Sequence, residues 1–155
     1  MKISDYLSTE NIFLDADLPD KNSILQFIAD ACVKTGNAKD RQEIYQGLCQ
    51  RENTMSTGIG GGLAFPHTTS GETENPAVIV LRLKRSVDFE SLDKKPVDIV
   101  LALIIPRSDR EIHVRLLARI SRLCRDNSFL GAVRSAKTAG ELLENMQAAE
   151  KETSP

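Results

Sequence analysis

The sequence predicts a single α/β domain in which helices cover both faces of a β-sheet. Val97 to Ile105 is a continuous apolar run, which is the pattern of a strand buried on both faces. Helical stripes precede and follow this run, and we find no repeat, linker or low-complexity segment in the 155 residues. A chain of this length can bury roughly two thirds of its unfolded surface in one core.

The N-terminal part predicts one strand and two helices. The strand candidate is Asn11 to Leu14, and Lys21 to Lys34 carries an apolar stripe at helical spacing. Asp40 followed by Glu43 predicts a capping box that opens the second helix. Its core-facing residues are Ile44, Tyr45, Leu48 and Cys49. Arg51 lies at the end of this helix, beside the loop that follows.

A glycine-rich loop from Ser56 to Gly62 feeds into a short extended run, Leu63 to His67, which Pro66 ends. His67 is therefore predicted at a strand exit. The glycines allow positive φ and can present backbone N–H groups to an anion. The nucleotide-binding patterns fail, however, because no Lys-Ser/Thr pair follows and Leu63 occupies the third glycine position of the dinucleotide motif. Alone, such a loop is more often a mobile turn.

The C-terminal half predicts a second buried strand and a long helix. Ala77 to Leu83 is rich in β-branched residues, as strands are. Ser108 with Glu111 predicts a capping box at the start of a helix that runs to about Asp126. The inward stripe of that helix includes His113, Leu116, Leu117, Ile120 and Cys124. His113 is thus expected to point inward near the N-terminus of the helix.

Two shorter helical segments complete the domain. One is predicted around Phe129 to Arg134, and Thr138 with Glu141 is predicted to cap a last helix that ends near Ala149. Residues 150–155 have the composition of a disordered tail. The sequence therefore predicts one domain over residues 1–149 and a disordered tail after it.

Composition excludes several classes of protein. A formal charge of -2 and a pI near 5.7 argue against a nucleic-acid binder or a membrane-surface binder, which would be basic. The N-terminus has no apolar signal-type segment, and the longest apolar run is too short to span a bilayer. Cys32, Cys49 and Cys124 are odd in number and far apart, so we expect reduced thiols in the cytoplasm. No spacing of a metal site is present.

A longer motif changes the interpretation of the loop. Ser56 to His67 reads Ser-Thr-Gly-Ile-Gly-x-Gly-x-Ala-x-Pro-His and resembles the phosphorylation-site signature of one family, the enzyme IIA domains of the bacterial phosphotransferase system of the fructose, mannitol and nitrogen-regulatory type. Arg51-Glu52, Pro96-Val97-Asp98 and His113 also resemble that family, so the resemblance covers nearly the whole chain. It implies a mixed five-stranded sheet flanked by helices.

The resemblance identifies His67 as the residue that accepts a phosphoryl group, through Nε2, from an HPr-like carrier. A neutral imidazole with a pKa of roughly 6.5 is nucleophilic at neutral pH and needs no separate base. The phosphoramidate that forms remains a reactive donor. The chain would thus be a phosphotransferase component that carries a group rather than a turnover enzyme, and no cofactor is implied.

Four further positions have expected roles at this site. His113 is expected to be neutral near a helix N-terminus and to bind phosphoryl oxygens. Arg51 offers a guanidinium fork to the same oxygens, and Thr57 a hydroxyl or a backbone N–H. Gly58 and Gly60 belong to the loop itself. The purely structural alternatives are that His113 is a core histidine, that Arg51 is a charged residue at a helix end and that Thr57 is a turn residue.

Three functions stay open. A domain without a fused transporter resembles the nitrogen-regulatory branch, in which phosphorylation controls binding to target proteins. The second possibility is a sugar-specific enzyme IIA that passes the phosphoryl group to a IIB domain for fructose or mannitol uptake. The third is a binding module that no longer uses phosphate, because Phe65 and Thr68 depart from the small residues usual in the signature.

Three arginines, Arg115, Arg119 and Arg122, recur at helical spacing and are predicted on one face of the long helix. They are expected either to dock an acidic partner or to form a solvated surface.

Overall fold

One mixed β-sheet organises residues 2–153, the part of the chain that this computed structural model describes. Its strands are β1 (Ile12–Ala16), β2 (Gly58–Gly60), β3 (Leu63–Ala64), β4 (His67–Ser70), β5 (Ala77–Val87) and β6 (Val97–Pro106). They are arranged in the order β1-β5-β6-β3-β2, and β4 also pairs with β6. The β5 and β6 strands are antiparallel, whereas β1 is parallel to β5, and β3 and β4 are parallel to β6.

The β3 and β4 strands occupy one position beside β6, with Phe65 and Pro66 between them. Proline has no N–H, so it interrupts the ladder of hydrogen bonds. Pairing resumes where Leu103 N–H donates to the Pro66 carbonyl at 3.0 Å. The predicted five strand positions are thus filled by six segments. The prediction that His67 lies at a strand exit is wrong, since His67 begins β4 immediately after the break.

Helices cover both faces of the sheet, as predicted. They are α1 (Lys21–Lys34), α2 (Arg41–Thr54), α3 (Arg110–Leu123), α4 (Asn127–Ser135) and α5 (Ala139–Thr153), and two 3-10 turns, Ile3–Tyr6 and Thr9–Asn11, precede β1. Because side chains alternate along a strand, β6 contributes to two cores. Leu101 and Leu103 pack with the buried residues of α3, α4 and α5, whereas Val100 and Ala102 pack with those of α1 and α2.

The start of α2 corrects one detail of the predicted capping. Asp40 is the N-cap and accepts hydrogen bonds from the backbone of Gln42 and Glu43. Glu43 does not return a bond to Asp40 as a capping box requires. Its carboxylate accepts from Gly71 N–H at 3.2 Å and pairs with Arg107 at 3.3 Å, because these groups approach from across the fold.

The boundaries of α3 also differ from those predicted. Asp109, rather than Ser108, is the N-cap and accepts from Ile112 N–H at 3.0 Å. A carboxylate one residue later satisfies the same free donors of the first turn. The helix ends at Leu123 rather than near Asp126, because Asp126 caps α4.

The last helix is longer than the sequence predicts. The α5 helix continues to Thr153, and Glu150 is fully buried. Its carboxylate accepts from the backbone N–H of Ile3 at 2.6 Å and of Ser4 at 2.8 Å. The helix therefore extends beyond its predicted end near Ala149, and Glu150 ties it to a turn that is distant in sequence. The predicted disorder of the tail stays a prediction. Residues 154–155 of the predicted tail lie outside the described residues.

Candidate functional site

His67 lies in an open pocket of about 580 Å³ between α2 and α3. The α2 helix contributes Arg51 from its last turn, and α3 contributes His113 from its first turns. The complete lining is Arg51, Phe65, His67, Thr68, Thr69, His113, Leu117 and Ser121. The fold thus brings together three of the residues that the sequence singled out, although they span 51 to 113 in the chain.

The hydrogen bonds of His67 fix which ring nitrogen carries the proton. Nδ1 lies 3.0 Å from the carbonyl oxygen of Phe65, which can only accept, so Nδ1 is the protonated nitrogen. Nε2 keeps its lone pair and accepts from Arg51 Nε at 3.3 Å. The nitrogen that carries the lone pair is therefore Nε2, and it faces a guanidinium group.

Burial keeps this imidazole neutral. His67 is 6% exposed, and loss of hydration lowers its pKa below 6.5. The positive charge of Arg51 and the neighbouring His113 lower the pKa further, against the opposing effects of the Phe65 carbonyl and Glu52. At neutral pH the ring is consequently uncharged, and Nε2 carries no proton.

The guanidinium of Arg51 is held at two points. Nε donates to His67, and Nη1 donates to the carbonyl of Met55 at 2.8 Å. Within residues 2–153, Nη2 has no hydrogen-bond partner. A fork anchored in this way can turn a free N–H toward an anion that forms on Nε2.

Two aromatic rings enclose the imidazole. Phe65 stacks on it with ring centroids 5.5 Å apart and planes 4° apart. His113 approaches edge-on, with centroids 5.9 Å apart. The larger residue at position 65 therefore forms a wall of the pocket and contributes to the burial of His67. On the side away from these rings, Nε2 is in contact with Arg51.

Thr57 does not have the role that the sequence predicts. Its backbone N–H donates to Glu52 at 3.1 Å, and its hydroxyl donates to the other carboxylate oxygen of the same residue. Thr57 is 1% exposed, so neither donor is available to a phosphoryl group. Thr57 instead ties the glycine loop to the end of α2.

The loop glycines serve as scaffold. Gly58 N–H donates to the Ser56 hydroxyl at 3.1 Å, and a Cβ at Gly58 would lie 3.0 Å from the Ser91 backbone. Gly60 has φ +107° in the tight β2–β3 hairpin. The next amide, Gly61 N–H, donates to Asp93 at 3.1 Å. The loop is thus a paired hairpin rather than a mobile turn, and the carboxylate it binds is the protein's own.

Glu52 is a site residue that sequence reasoning missed. Its buried carboxylate also pairs with Lys21 Nζ at 2.8 Å, so it links α1, α2 and the loop. A glutamate in the last turn of a helix usually lies in solvent. The only signal in the sequence is its position beside Arg51 in the family-like Arg-Glu pair.

Thr68 fits because a glycine lies opposite it. Gly47 is in the middle of α2, and a Cβ there would lie 2.1 Å from Thr68 Oγ1. A helix tolerates glycine at a cost of about 1 kcal/mol relative to alanine. The absent side chain of Gly47 provides the room that the larger residue after His67 needs.

Among residues 2–153, no helix is long and apolar enough to cross a membrane. Among the side chains that the structure describes, no three of histidine, cysteine, aspartate or glutamate come together as metal ligands.

Several known proteins resemble this chain in sequence. Residues 5–149 match the family described as "Phosphoenolpyruvate-dependent sugar phosphotransferase system, EIIA 2". The chain is 33% identical over 139 residues to a nitrogen regulatory protein of Bradyrhizobium diazoefficiens, covering 90% of each chain. It is 33% identical over 123 residues to the fructose-specific EIIABC component of Bacillus subtilis, covering 79% of this chain but only 19% of that protein.

The fold has close counterparts among solved structures. The crystal structure of nitrogen regulatory protein IIA-Ntr from Neisseria meningitidis superposes with a TM-score of 0.87 at 22% identity, covering 93% of this chain and 98% of that one. The predicted mixed sheet between two layers of helices is thus the fold of that protein as well.

Proposed function

Because this chain belongs to the EIIA 2 family of the phosphoenolpyruvate-dependent sugar phosphotransferase system, we propose that it carries a phosphoryl group on Nε2 of His67. The observation that supports this proposal most directly is the bond between His67 Nδ1 and the Phe65 carbonyl. It holds the proton on Nδ1 and leaves the lone pair on Nε2, which accepts from Arg51 in the wall of the pocket.

In the proposed transfer, the Nε2 lone pair attacks phosphorus of a phosphohistidine on the donor protein. The new N–P bond forms as the donor's N–P bond breaks, and the donor imidazole keeps the electron pair of that bond. The phosphorylated ring of His67 gains positive charge while Nδ1 keeps its proton. The Phe65 carbonyl stabilises that N–H.

Arg51 is proposed to turn from Nε2 to the incoming phosphoryl oxygens. Its Nε is 3.3 Å from Nε2 before the reaction, so the fork needs only a small movement. We propose that His113, whose ring is 5.9 Å from that of His67, donates a hydrogen bond to the same oxygens. Positioning and charge stabilisation of this kind account for most catalysis of phosphoryl transfer.

The experiment is labelling with enzyme I, an HPr-like carrier and labelled phosphoenolpyruvate, comparing wild type with His67→Gln. Glutamine keeps a polar group at a buried position, so it is preferable to alanine. We expect acid-labile label on wild type and none on the variant, with His113→Gln as a control that retains label at a lower rate. Absence of label on wild type with several carriers would contradict the proposal and favour a non-phosphorylated binding module.

For the biological role, we propose nitrogen or metabolic regulation, in which the phosphorylation state decides which target protein binds. The supporting observation is that nitrogen regulatory relatives from three genera align over 80% to 90% of their own length. About two negative charges added beside Arg51 would alter docking by electrostatics. The three free cysteines fit a cytoplasmic location.

The second candidate role is sugar uptake, since fructose-specific proteins are also among the relatives. In that case the acceptor would be a IIB domain. Transfer of label from the phosphorylated chain to a purified fructose or mannitol IIB domain would favour uptake. Retention of label with IIB, together with a target that binds only one phosphorylation state, would favour regulation.

A further inference from the structure

The carbonyl that orients His67 is itself held by a path of hydrogen bonds that begins behind the pocket. His67 Nδ1 lies 3.0 Å from the Phe65 carbonyl oxygen, and the backbone N–H of Phe65 donates to the Thr57 carbonyl at 3.1 Å. Thr57 in turn donates both its N–H and its hydroxyl to Glu52. Contiguous contacts thus join the carboxylate of Glu52 in α2 to the ring of His67.

The Phe65 carbonyl lies in the break between two strands, where the ladder of the sheet does not fix the backbone. Phe65 and Pro66 separate β3 from β4. On the C-terminal side of the break, the Pro66 carbonyl accepts from Leu103 N–H at 3.0 Å. On the N-terminal side, the bond from Phe65 N–H to Thr57 is the anchor. A shift of Thr57 would therefore turn the Phe65 carbonyl away from the ring that it orients.

Glu52 is suited to hold Thr57 because of its burial and its charge. Glu52 is 7% exposed and Thr57 is 1% exposed, so little water can compete for the bonds between them. Lys21 Nζ, from the start of α1, lies 2.8 Å from the same carboxylate oxygen that accepts from Thr57 N–H. Hydrogen bonds to an ionised acceptor are roughly twice as strong as neutral ones. The lysine offsets the cost of burying the carboxylate.

We propose that Glu52 is a positioning residue that keeps the proton of His67 on Nδ1 and holds the ring in its orientation in the pocket. It acts through Thr57 and Phe65 rather than by contact with the phosphoryl group. The inference deepens the proposed function, because attack on phosphorus needs the lone pair of Nε2 in a fixed direction. Without this anchor, part of the molecules would carry the proton on Nε2, and that nitrogen could not attack.

The same carboxylate acts on the ring through its charge. Burial is the largest influence on the pKa of His67 and lowers it, whereas Glu52 is among the groups that raise it. A negative charge there also stabilises the positive charge that the ring gains on phosphorylation. Arg51 and Glu52, neighbours in α2, thus act on opposite nitrogens of one ring. Arg51 contacts Nε2 directly, and Glu52 holds Nδ1 indirectly.

The test follows the tautomer of His67 by ¹⁵N NMR of the unphosphorylated full chain, at a pH above the pKa of the ring. A protonated and an unprotonated ring nitrogen differ in ¹⁵N chemical shift, and we expect wild type to be protonated on Nδ1. Glu52→Gln keeps the size of the side chain and one acceptor but loses the charge. We expect the two shifts to move toward each other as both tautomers become populated. Thr57→Val removes only the hydroxyl bond and should cause a smaller change of the same kind.

Two control variants separate positioning from charge and from stability. Glu90→Gln makes the same change in net charge as Glu52→Gln and lines the same cavity. Arg134→Gln removes a different anchor of the hairpin, the bond from Arg134 Nη2 to the Gly61 carbonyl at 2.6 Å. Both controls should keep the wild-type ring signals, although Arg134→Gln should lower the free energy of unfolding.

Two further measurements complete the expected result. Glu52→Gln should move the titration midpoint of His67 to lower pH, because a charge that raises its pKa is gone, whereas Glu90→Gln should leave it unchanged. Labelling by phosphoramidate, a small phosphoryl donor, should slow about tenfold in Glu52→Gln and little in Glu90→Gln.

Wild-type ring signals in every folded variant of Glu52→Gln and Thr57→Val would overturn the inference and leave the proposed function intact. An equal change of the ring signals in Arg134→Gln, or a wild-type ring protonated on Nε2, would overturn it as well. Failure of wild type to take label, with ring signals that change as expected, would overturn the proposed function alone, because the NMR measurement uses no phosphoryl donor.

Discussion

Adding one methyl group at position 47 should destabilise the fold, although alanine is the better helix former. The new Cβ of Gly47→Ala would lie 2.1 Å from Thr68 Oγ1, 3.1 Å from its Cβ and 3.4 Å from its Cγ2. Rotation of the threonine removes the first contact but not the second. Overpacking of this kind costs about 1–3 kcal/mol, and alanine recovers about 1 kcal/mol of helix propensity. With so close an overlap we expect a net loss of about 2 kcal/mol.

A double-mutant cycle isolates the cause. In a Thr68→Gly background all three contacts disappear, so Gly47→Ala should stabilise by up to about 1 kcal/mol. The cost of Thr68→Gly is common to both arms and cancels. The coupling between the two positions is therefore about 3 kcal/mol, and the sign of the alanine substitution reverses.

The assay is urea unfolding followed by far-UV circular dichroism, since the chain contains no tryptophan. Gly131→Ala in α4 is the matched control, because no atom beyond its chain neighbours and its own helix backbone lies within 4 Å of the added Cβ. It should stabilise by about 1 kcal/mol. If Gly47→Ala stabilises the wild-type chain as the control does, the argument that Gly47 makes room for Thr68 is refuted.

Three other predictions follow from the site and the chain ends. Burial lowers the pKa of His67, so between that pKa and 6.5 the unfolded chain binds a proton that the folded chain does not. The free energy of unfolding should therefore fall as the pH drops below 6.5, and His67→Gln should reduce that fall. An NMR titration midpoint of His67 at or above 6.5 would contradict the reasoning. Arg51→Lys keeps the charge but loses the fork, and should slow labelling at least about tenfold; an unchanged rate would show that charge alone suffices. Glu150→Ala removes the acceptor of two buried N–H groups and should lower the free energy of unfolding by about 1–3 kcal/mol. The exposed control Glu144→Ala should change urea unfolding little. Equal effects of the two variants would refute the role of Glu150 in holding the N-terminal turn.

The local part of the fold was predictable because its signals are local. Asp40 begins α2 where the sequence places a cap, and α1 has the predicted bounds, since capping and apolar spacing act within a few residues. Glu43 and Ser108 were misassigned for the same reason. Glu43 instead binds Gly71 and Arg107, which only the folded chain brings near it, and Asp109 takes the capping position in place of Ser108.

The candidate site was predictable in part. His67, Arg51 and His113 do meet in one pocket, whereas Thr57 is turned toward Glu52. No pattern along the chain distinguishes a hydroxyl that faces a pocket from one that faces a buried carboxylate. The orientation of Thr57 depends on where the end of α2 and the hairpin come to rest against each other.

The sequence by itself determined the class of fold, the covering of both faces of the sheet and the choice of His67 as the candidate nucleophile. Apolar periodicity and a long motif depend only on the order of residues along the chain. The tertiary structure alone decided the break before His67, the tautomer that leaves the lone pair on Nε2, the room that Gly47 leaves for Thr68 and the burial of Glu150. Each of these depends on atoms far apart in the sequence that packing brings within a few ångströms.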